Sequence, residues 1–174
     1  MKEVYERKAH RIVGKQSNGL TSVVTGSENP IGLKAVCYIL DNGDLAMRFT
    51  LTRWHEGHIG LGHGGACYTV LDELMGRAVN DYNERQGMGN VPVFSGEITC
   101  RYVSPAPVGE ELYAYARVEG ADGRKRFLSG EVLQADGNVI IRTKGIYLIA
   151  PDYHDEMRMA GPAELTADDP EYFV

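Results

Sequence analysis

Residues 66–85 read ACYTVLDELMGRAVNDYNER, and the spacing of their apolar side chains decides the architecture. Cys67, Leu71, Leu74, Ala78 and Tyr82 recur at helical intervals, and Val70, Met75 and Val79 widen the same stripe. The pattern stops near Arg85, before Gly87, a residue type that readily ends a helix. One helix of about five turns is predicted, apolar around most of its circumference. Such a helix needs cover on more than one side, and a sheet that curls around it supplies that cover.

The flanking sequence reads as that sheet. Leu33–Leu40 is strand-like, Asp41-Asn42-Gly43 has turn chemistry, and Leu45–Leu51 alternates apolar with polar, so a β-hairpin precedes the helix. After the helix, Val93–Val103 alternates with Ile98, Cys100 and Tyr102 on one face, and Ser104-Pro105-Ala106-Pro107 ends it. Leu112–Val118, Phe127–Leu133 and Val139–Ile149 follow, separated by Asp122-Gly123 and Asp136-Gly137 turns. Short turns between successive strands imply antiparallel pairing. The predicted class is therefore α+β, a curved antiparallel sheet around one long helix. A short N-terminal helix is expected over residues 2–14, where charge and bulk alternate, and residues 15–31 and 53–65 read as irregular, Gly-rich loops. Residues 1–150 read as one domain with its core over 33–150. Residues 151–174 read as an acidic extension, extended or poorly ordered, because seven carboxylates and three prolines face one arginine there.

With 174 residues, 43% of them hydrophobic, the chain can bury a core without disulfide or metal staples. A formal charge of −6 argues against a nucleic-acid surface, which needs clustered Lys and Arg. No apolar stretch is long enough to cross a bilayer, and the first residues lack the apolar core of a signal peptide. Cys37, Cys67 and Cys100 are odd in number and far apart, which disfavours disulfides and structural zinc, and a cytoplasmic location is expected.

The chemistry-bearing residues gather at the start of the helix. Gly64 and Gly65 fall where backbone N–H groups have no carbonyl partner and the helix dipole is positive. Such an end can hold a phosphate, or a carbonyl oxygen that gains negative charge during reaction, or the glycines can simply make a tight turn. The segment is not GxxxxGK[ST], which weighs against phosphate. At ~100° per residue, Asp72 falls at the rim of the apolar stripe, where a partly buried carboxylate can serve as a base. Glu73 falls near the opposite side, solvated or facing a second subunit. His55, His58 and His63 sit close together, but no Cys or carboxylate other than Glu56 has metal-ligand spacing, and no metal is expected. His63 is read as ordering the turn, and His55 and His58 as lining a substrate entrance. Ser95 opens a strand outside any GxSxG elbow, and Cys67 and Cys100 read as small core residues. Arg124-Lys125-Arg126 is either a solvated hairpin tip or a contact for the phosphates of a nucleotide-bearing substrate.

The order of these features is more specific than any one of them. The run from His55 to Gly65 (HEGHIGLGHGG), followed by Thr69-Val70-Leu71-Asp72-Glu73 and Gly76, resembles the hotdog-fold acyl-CoA thioesterases, in particular the phenylacetate-pathway and 4-hydroxybenzoyl-CoA-type branch. The resemblance continues through Phe94–Ala106 and Arg124–Gly145. It implies the hotdog fold, and a homodimer or homotetramer with active sites at the subunit interface. It also implies hydrolysis of an acyl-CoA substrate without a cofactor. The Gly64 N–H, with that of Gly65, would polarise the thioester carbonyl. Asp72 would be general base or nucleophile, Ser95 of the other subunit would position the water or carboxylate, and His63 matches the loop histidine. His55, His58, Glu73, Arg124 and Arg126 are the substrate-binding candidates. The resemblance departs at Gly57, where several relatives carry Asn, and His58 or His55 could take over that role. Two further readings stay open: a non-catalytic acyl-CoA-binding protein, and a hotdog dehydratase or hydratase, for which Asn29-Pro30 lacks a nearby histidine.

Overall fold

The computed structural model describes residues 9–89, 91–150 and 162–173. The predicted helix is α1, Gly64–Arg85, and its buried residues include Cys67, Val70, Leu71, Leu74, Met75, Ala78 and Val79. Nine strands form the main sheet: β1 (His10–Gln16), β2 (Val36–Leu40), β3 (Leu45–Thr50), β6 (Val93–Tyr102), β8 (Glu111–Asp122), β9 (Lys125–Gln134), β10 (Val139–Ile149), β11 (Pro162–Ala163) and β12 (Tyr172–Phe173). Their order is β11-β1-β2-β3-β8-β9-β10-β6, with β12 also on β1, and the pairings are antiparallel. One face of this sheet curls over α1, which packs on β3, β6, β8, β9 and β10. Between them Leu71, Leu74 and Met75 meet Leu45, Met47, Leu112, Val132 and Ile141, all fully buried. Truncating any such leucine to alanine costs ~2–5 kcal/mol.

Three expectations change. Residues 10–14 are strand rather than helix, because Ile12 packs with Tyr38, Leu40 and Phe173 while the backbone pairs with β2. Alternating charge and bulk fits a period of two as well as 3.6, and burial of Ile12 selects the strand. Residues 2–8 of the expected helix lie outside the described residues. The 53–65 loop also contains regular structure: a 3₁₀ turn at Arg53–His55, then β4 (Glu56–His58) and β5 (Leu61–Gly62), which pair with each other and with β7 (Ala106–Pro107). The tip of this hairpin is Gly60, at φ 77°, a conformation that other residues adopt with difficulty.

The acidic extension is the third. Residues 162–173 form a strap along β1 instead of a loose arm. β11 pairs with Lys15 and Gln16, and β12 with His10 and Arg11. Phe173 lies in a nest of Tyr38, Tyr113 and Tyr115, at centroid separations of 5.9, 5.6 and 5.2 Å, on the sheet face opposite α1. Asp169 accepts from Lys15 Nζ at 2.9 Å, Tyr38 Oη at 3.0 Å and the Thr166 amide at 2.9 Å. Burial works to raise the Asp169 pKa, but these donors prevail and hold it down at about 2.

Candidate active site

His63 is the N-cap of α1, and its Nδ1 accepts the Gly65 N–H at 2.9 Å. Its own N–H donates to the His55 carbonyl at 2.7 Å, tying the cap to the 3₁₀ turn. The Gly65 N–H is therefore engaged within the chain, contrary to its expected share in binding a carbonyl. Among the described residues no acceptor takes the Gly64 N–H. Gly64 opens onto a cleft of about 520 Å³ with His58, Leu61, Tyr102, Val103 and Pro105. A Cβ at Gly64 would lie 2.5 Å from Tyr102 Cε1, so any larger residue there would have to push aside that exposed ring. A larger groove of about 790 Å³ lies on the outer sheet face, among Arg101, Arg117, Glu131 and Lys144, and shares no residue with this region.

The three histidines separate into different roles. His55 accepts the Thr52 N–H at Nδ1, 3.0 Å, and its Nε2 lies 2.9 Å from the Ile31 carbonyl. Both ring nitrogens are engaged in holding two loops together, which removes His55 from the substrate entrance. His58 is exposed and lines the Gly64 cleft. Gly57 faces His63, and a Cβ there would sit 3.1 Å from the His63 Cα. Among the described residues no three His, Cys, Asp or Glu side chains converge as a metal would require.

Further along α1, the Asp72 carboxylate receives one side chain that the sequence reading missed. Tyr147 Oη lies 2.7 Å from Asp72 Oδ1 and 2.9 Å from the Asp72 main-chain carbonyl. Tyr147 is 2% exposed, and burial first, then the hydrogen bond and charge of Asp72, push its pKa far up. The phenol is thus a proton donor at any working pH. Nothing in the one-dimensional sequence pairs residues 72 and 147, because Tyr147 looks like any inward position of a central strand. Tyr68 also feels Asp72: its pKa is raised by burial and then by the Asp72 charge.

A bulge brings Ser95 to the same place. Residues opposite each other in an antiparallel pair share a face. Ile98, Cys100 and Tyr102 pair with Gly145, Thr143 and Ile141 on the helix side. Simple alternation would then put Gly96 and Phe94 on that face. The register shifts between Ile146 and Tyr147, leaving Gly96 as the extra residue, and Ser95 becomes the partner of Tyr147. A Cβ at Gly96 would meet the Ile146 carbonyl at 3.1 Å. Ser95 therefore lies on the strand beside the phenol that binds Asp72 of its own chain.

The remaining candidates are held in the framework. Glu73 is not solvated: it accepts from Ser22 Oγ at 2.7 Å, Thr25 Oγ1 at 3.0 Å and Arg77 Nε at 2.9 Å. Arg126 is buried, with Nε on Asn83 Oδ1 at 2.9 Å and Nη1 on the Gly123 and Lys125 carbonyls, and its guanidinium lies over Tyr82. Neither is available to a phosphate. Arg124 is exposed, and its Nε donates to the Ile149 carbonyl. Burial pushes the Cys67 thiol up to about 12 and raises Cys100 as well, so neither is a ready nucleophile.

The thioesterase superfamily profile matches residues 59–141, which include the capped glycine, Asp72 and Ser95. A crystallised thioesterase superfamily protein is 30% identical to this chain, with TM-score 0.64, over 74% of this chain and 60% of its own. Over that stretch the chain is similar to the thioesterase superfamily, and its curved antiparallel sheet around one long helix is the hotdog fold. The chain thus spans 60% of the length of that relative. More distant hotdog structures share the fold. The Escherichia coli PaaI protein of the phenylacetic acid degradation operon is 18% identical, with TM-score 0.60, over 68% of this chain and 80% of its own. A Streptococcus pneumoniae hypothetical thioesterase with coenzyme A is 12% identical, with TM-score 0.54, over 63% of this chain and 82% of its own. No curated protein matches the chain. Among the described residues no helix is long and apolar enough to cross a membrane.

Proposed function

We propose that the protein hydrolyses acyl-CoA thioesters at a site assembled from two copies of the chain. The observation that carries this reading is Asp72: a carboxylate on the central helix with Oδ1 held by Tyr147 and no donor on Oδ2 among the described residues. Gly64 supports it with a free N–H at the positive end of the same helix. The two groups are eight residues apart, which is about 12 Å along an α-helix. A general base must reach its proton directly or through one water, so Asp72 cannot serve a carbonyl bound at Gly64 of its own chain. Two antiparallel helices, one from each subunit, remove the conflict by bringing Gly64 of one copy opposite Asp72 of the other. β6 is the free edge of the sheet and adjoins the Asp72–Tyr147 contact, so it is a natural place for a second copy to pair. Ser95 then acts with the Asp72 of its own chain, not with that of the other subunit.

In this arrangement the Gly64 N–H polarises the thioester carbonyl, and Asp72 removes a proton from water as the water oxygen attacks the carbonyl carbon. Collapse of the tetrahedral intermediate breaks the C–S bond, and the proton that Asp72 took from water passes to the departing sulfur, which releases the thiol and restores the carboxylate. Ser95 orients the water or the carboxylate, His63 fixes the donor loop, and His58, which lines the cleft, takes over the role of the Asn that relatives carry at the Gly57 position. Of the two arginine candidates, Arg124 is the exposed one and is placed to meet a CoA phosphate. A thiol-release assay across short, long and aromatic acyl-CoAs tests this reading, with Asp72→Asn as control. Binding of these esters without thiol release, or full activity of the variant, would overturn it.

A further inference from the structure

Tyr147 is a polar group buried for no reason that the fold alone supplies. A tyrosine facing the core normally costs a desolvated hydroxyl, and phenylalanine fills the same space without that cost. Here the hydroxyl stands against α1 with its one proton between Asp72 Oδ1 at 2.7 Å and the Asp72 carbonyl at 2.9 Å. Gly145 makes room for the ring: a Cβ there would lie 3.1 Å from Tyr147 Cε2, while one at Gly76 would meet Cε1 at an ordinary contact distance of 3.7 Å. The ring is clamped, the hydroxyl is 75 residues away in sequence from the group it holds, and its strand neighbour is Ser95.

We infer that Tyr147 is a positioning residue for the reaction proposed above, locking the Asp72 carboxylate by Oδ1 so that Oδ2 remains the oxygen that takes the proton. The inference rests on the reading of Asp72 as general base. A hydrogen bond to the charged form also favours ionisation of a carboxylate. The titratable groups near Asp72 on the described elements are Tyr147 on β10, and Tyr68 and Glu73 on α1, and Glu73 is already paired with Arg77. Of these, Tyr147 is the donor to the Asp72 carboxylate.

The test is a double-mutant cycle with Tyr147→Phe and Asp72→Asn, measured on whichever acyl-CoA the wild type hydrolyses best. Loss of one hydrogen bond to a charged group predicts a fall of about 10- to 100-fold in kcat for Tyr147→Phe, with KM little changed. In the Asp72→Asn background the same substitution should cost nothing more, because the carboxylate it positions is gone. A general loss of structure would instead lower the rate in both backgrounds. If Tyr147→Phe does not fold, Gly145→Ala replaces it in the cycle: its methyl shifts the ring by a few tenths of an ångström while keeping the hydroxyl, so a smaller fall in kcat with the same dependence on Asp72 is expected. An unchanged kcat, a loss confined to KM, or an equal loss in both backgrounds overturns the inference alone. Wild-type activity of Asp72→Asn overturns the general-base reading, and this inference with it.

Discussion

Asp72 and Glu73 are consecutive carboxylates on one helix, and their surroundings are opposite. Glu73 is satisfied: Ser22, Thr25 and Arg77 all point donors at it, and Arg77 in turn binds the Ser17 carbonyl at 3.0 Å. Among the described residues Asp72 has one side-chain donor, on one carboxylate oxygen. A carboxylate whose lone pairs are filled by the protein is part of the framework. One that is gripped on a single side is oriented and still able to accept a proton. The difference between them is 100° of helix rotation, which turns Asp72 toward β10 and Glu73 toward the 17–35 segment.

The largest expected effect separates the two in activity. Asp72→Asn should lower kcat by ~10²–10⁴-fold, the usual cost of losing a general base, with the melting temperature close to wild type. An inactive variant that also unfolds would place Asp72 with Glu73 in the framework and break the contrast.

Glu73→Ala should do the converse. It leaves the Arg77 guanidinium, 9% exposed, without its carboxylate. Breaking a pair of this kind costs several kcal/mol when fully buried, and Glu73 is 22% exposed, so a loss of about 2–3 kcal/mol is expected. For a chain of this size that lowers the melting temperature by about 5–10 °C, while kcat per folded molecule should hold. Differential scanning calorimetry beside the thiol-release assay reads both. A stable Glu73→Ala with raised KM would return Glu73 to the substrate site.

The same contrast marks what sequence could show. The helix, the hairpins and the glycine turn are local patterns, and 3.6- and 2-residue periods carry them. Asp72 was legible because its helical angle placed it at the rim of the apolar stripe. Its tyrosine was not, since a contact between residues 72 and 147 depends on how the sheet curls. Nor could alternation place Ser95 correctly, because the bulge at Gly96 shifts the register by one. Glu73 and Arg126 misled for a related reason: a charged side chain looks solvated until a loop or a helix end closes over it. The C-terminal strap was hidden by composition, where carboxylates suggested disorder and one aromatic, Phe173, decides the docking.

A smaller effect belongs to His63. Replacing it with alanine removes the cap on Gly65 and should cost ~1 kcal/mol. Thermal melting should fall by about 2–4 °C. The drop in kcat should be modest, because the Gly64 N–H that we propose polarises the carbonyl is still present. A collapse of kcat as deep as that of Asp72→Asn would mean that the imidazole itself touches the substrate.

The last prediction extends the rule to a third carboxylate. Asp169 is saturated like Glu73, and its pKa is held at about 2. A carboxyl in the unfolded chain titrates near ~3.9, so the folded value is the lower one. Its contribution to seating the strap is then complete above that unfolded value and is lost as pH falls toward 2. Across the neutral range the strap should not respond to pH at all. Near-ultraviolet circular dichroism of the Phe173–Tyr38–Tyr113–Tyr115 cluster reads this directly. The signal should stay level down to about pH 4 and decline below it, following the titration of a carboxyl in the unfolded chain. Asp169→Asn should show part of that decline already at neutral pH, with kcat unchanged, because the strap lies on the sheet face away from Asp72. A change in kcat on loosening the strap would show that the two faces of the sheet are coupled, and donor saturation would then no longer separate framework from site.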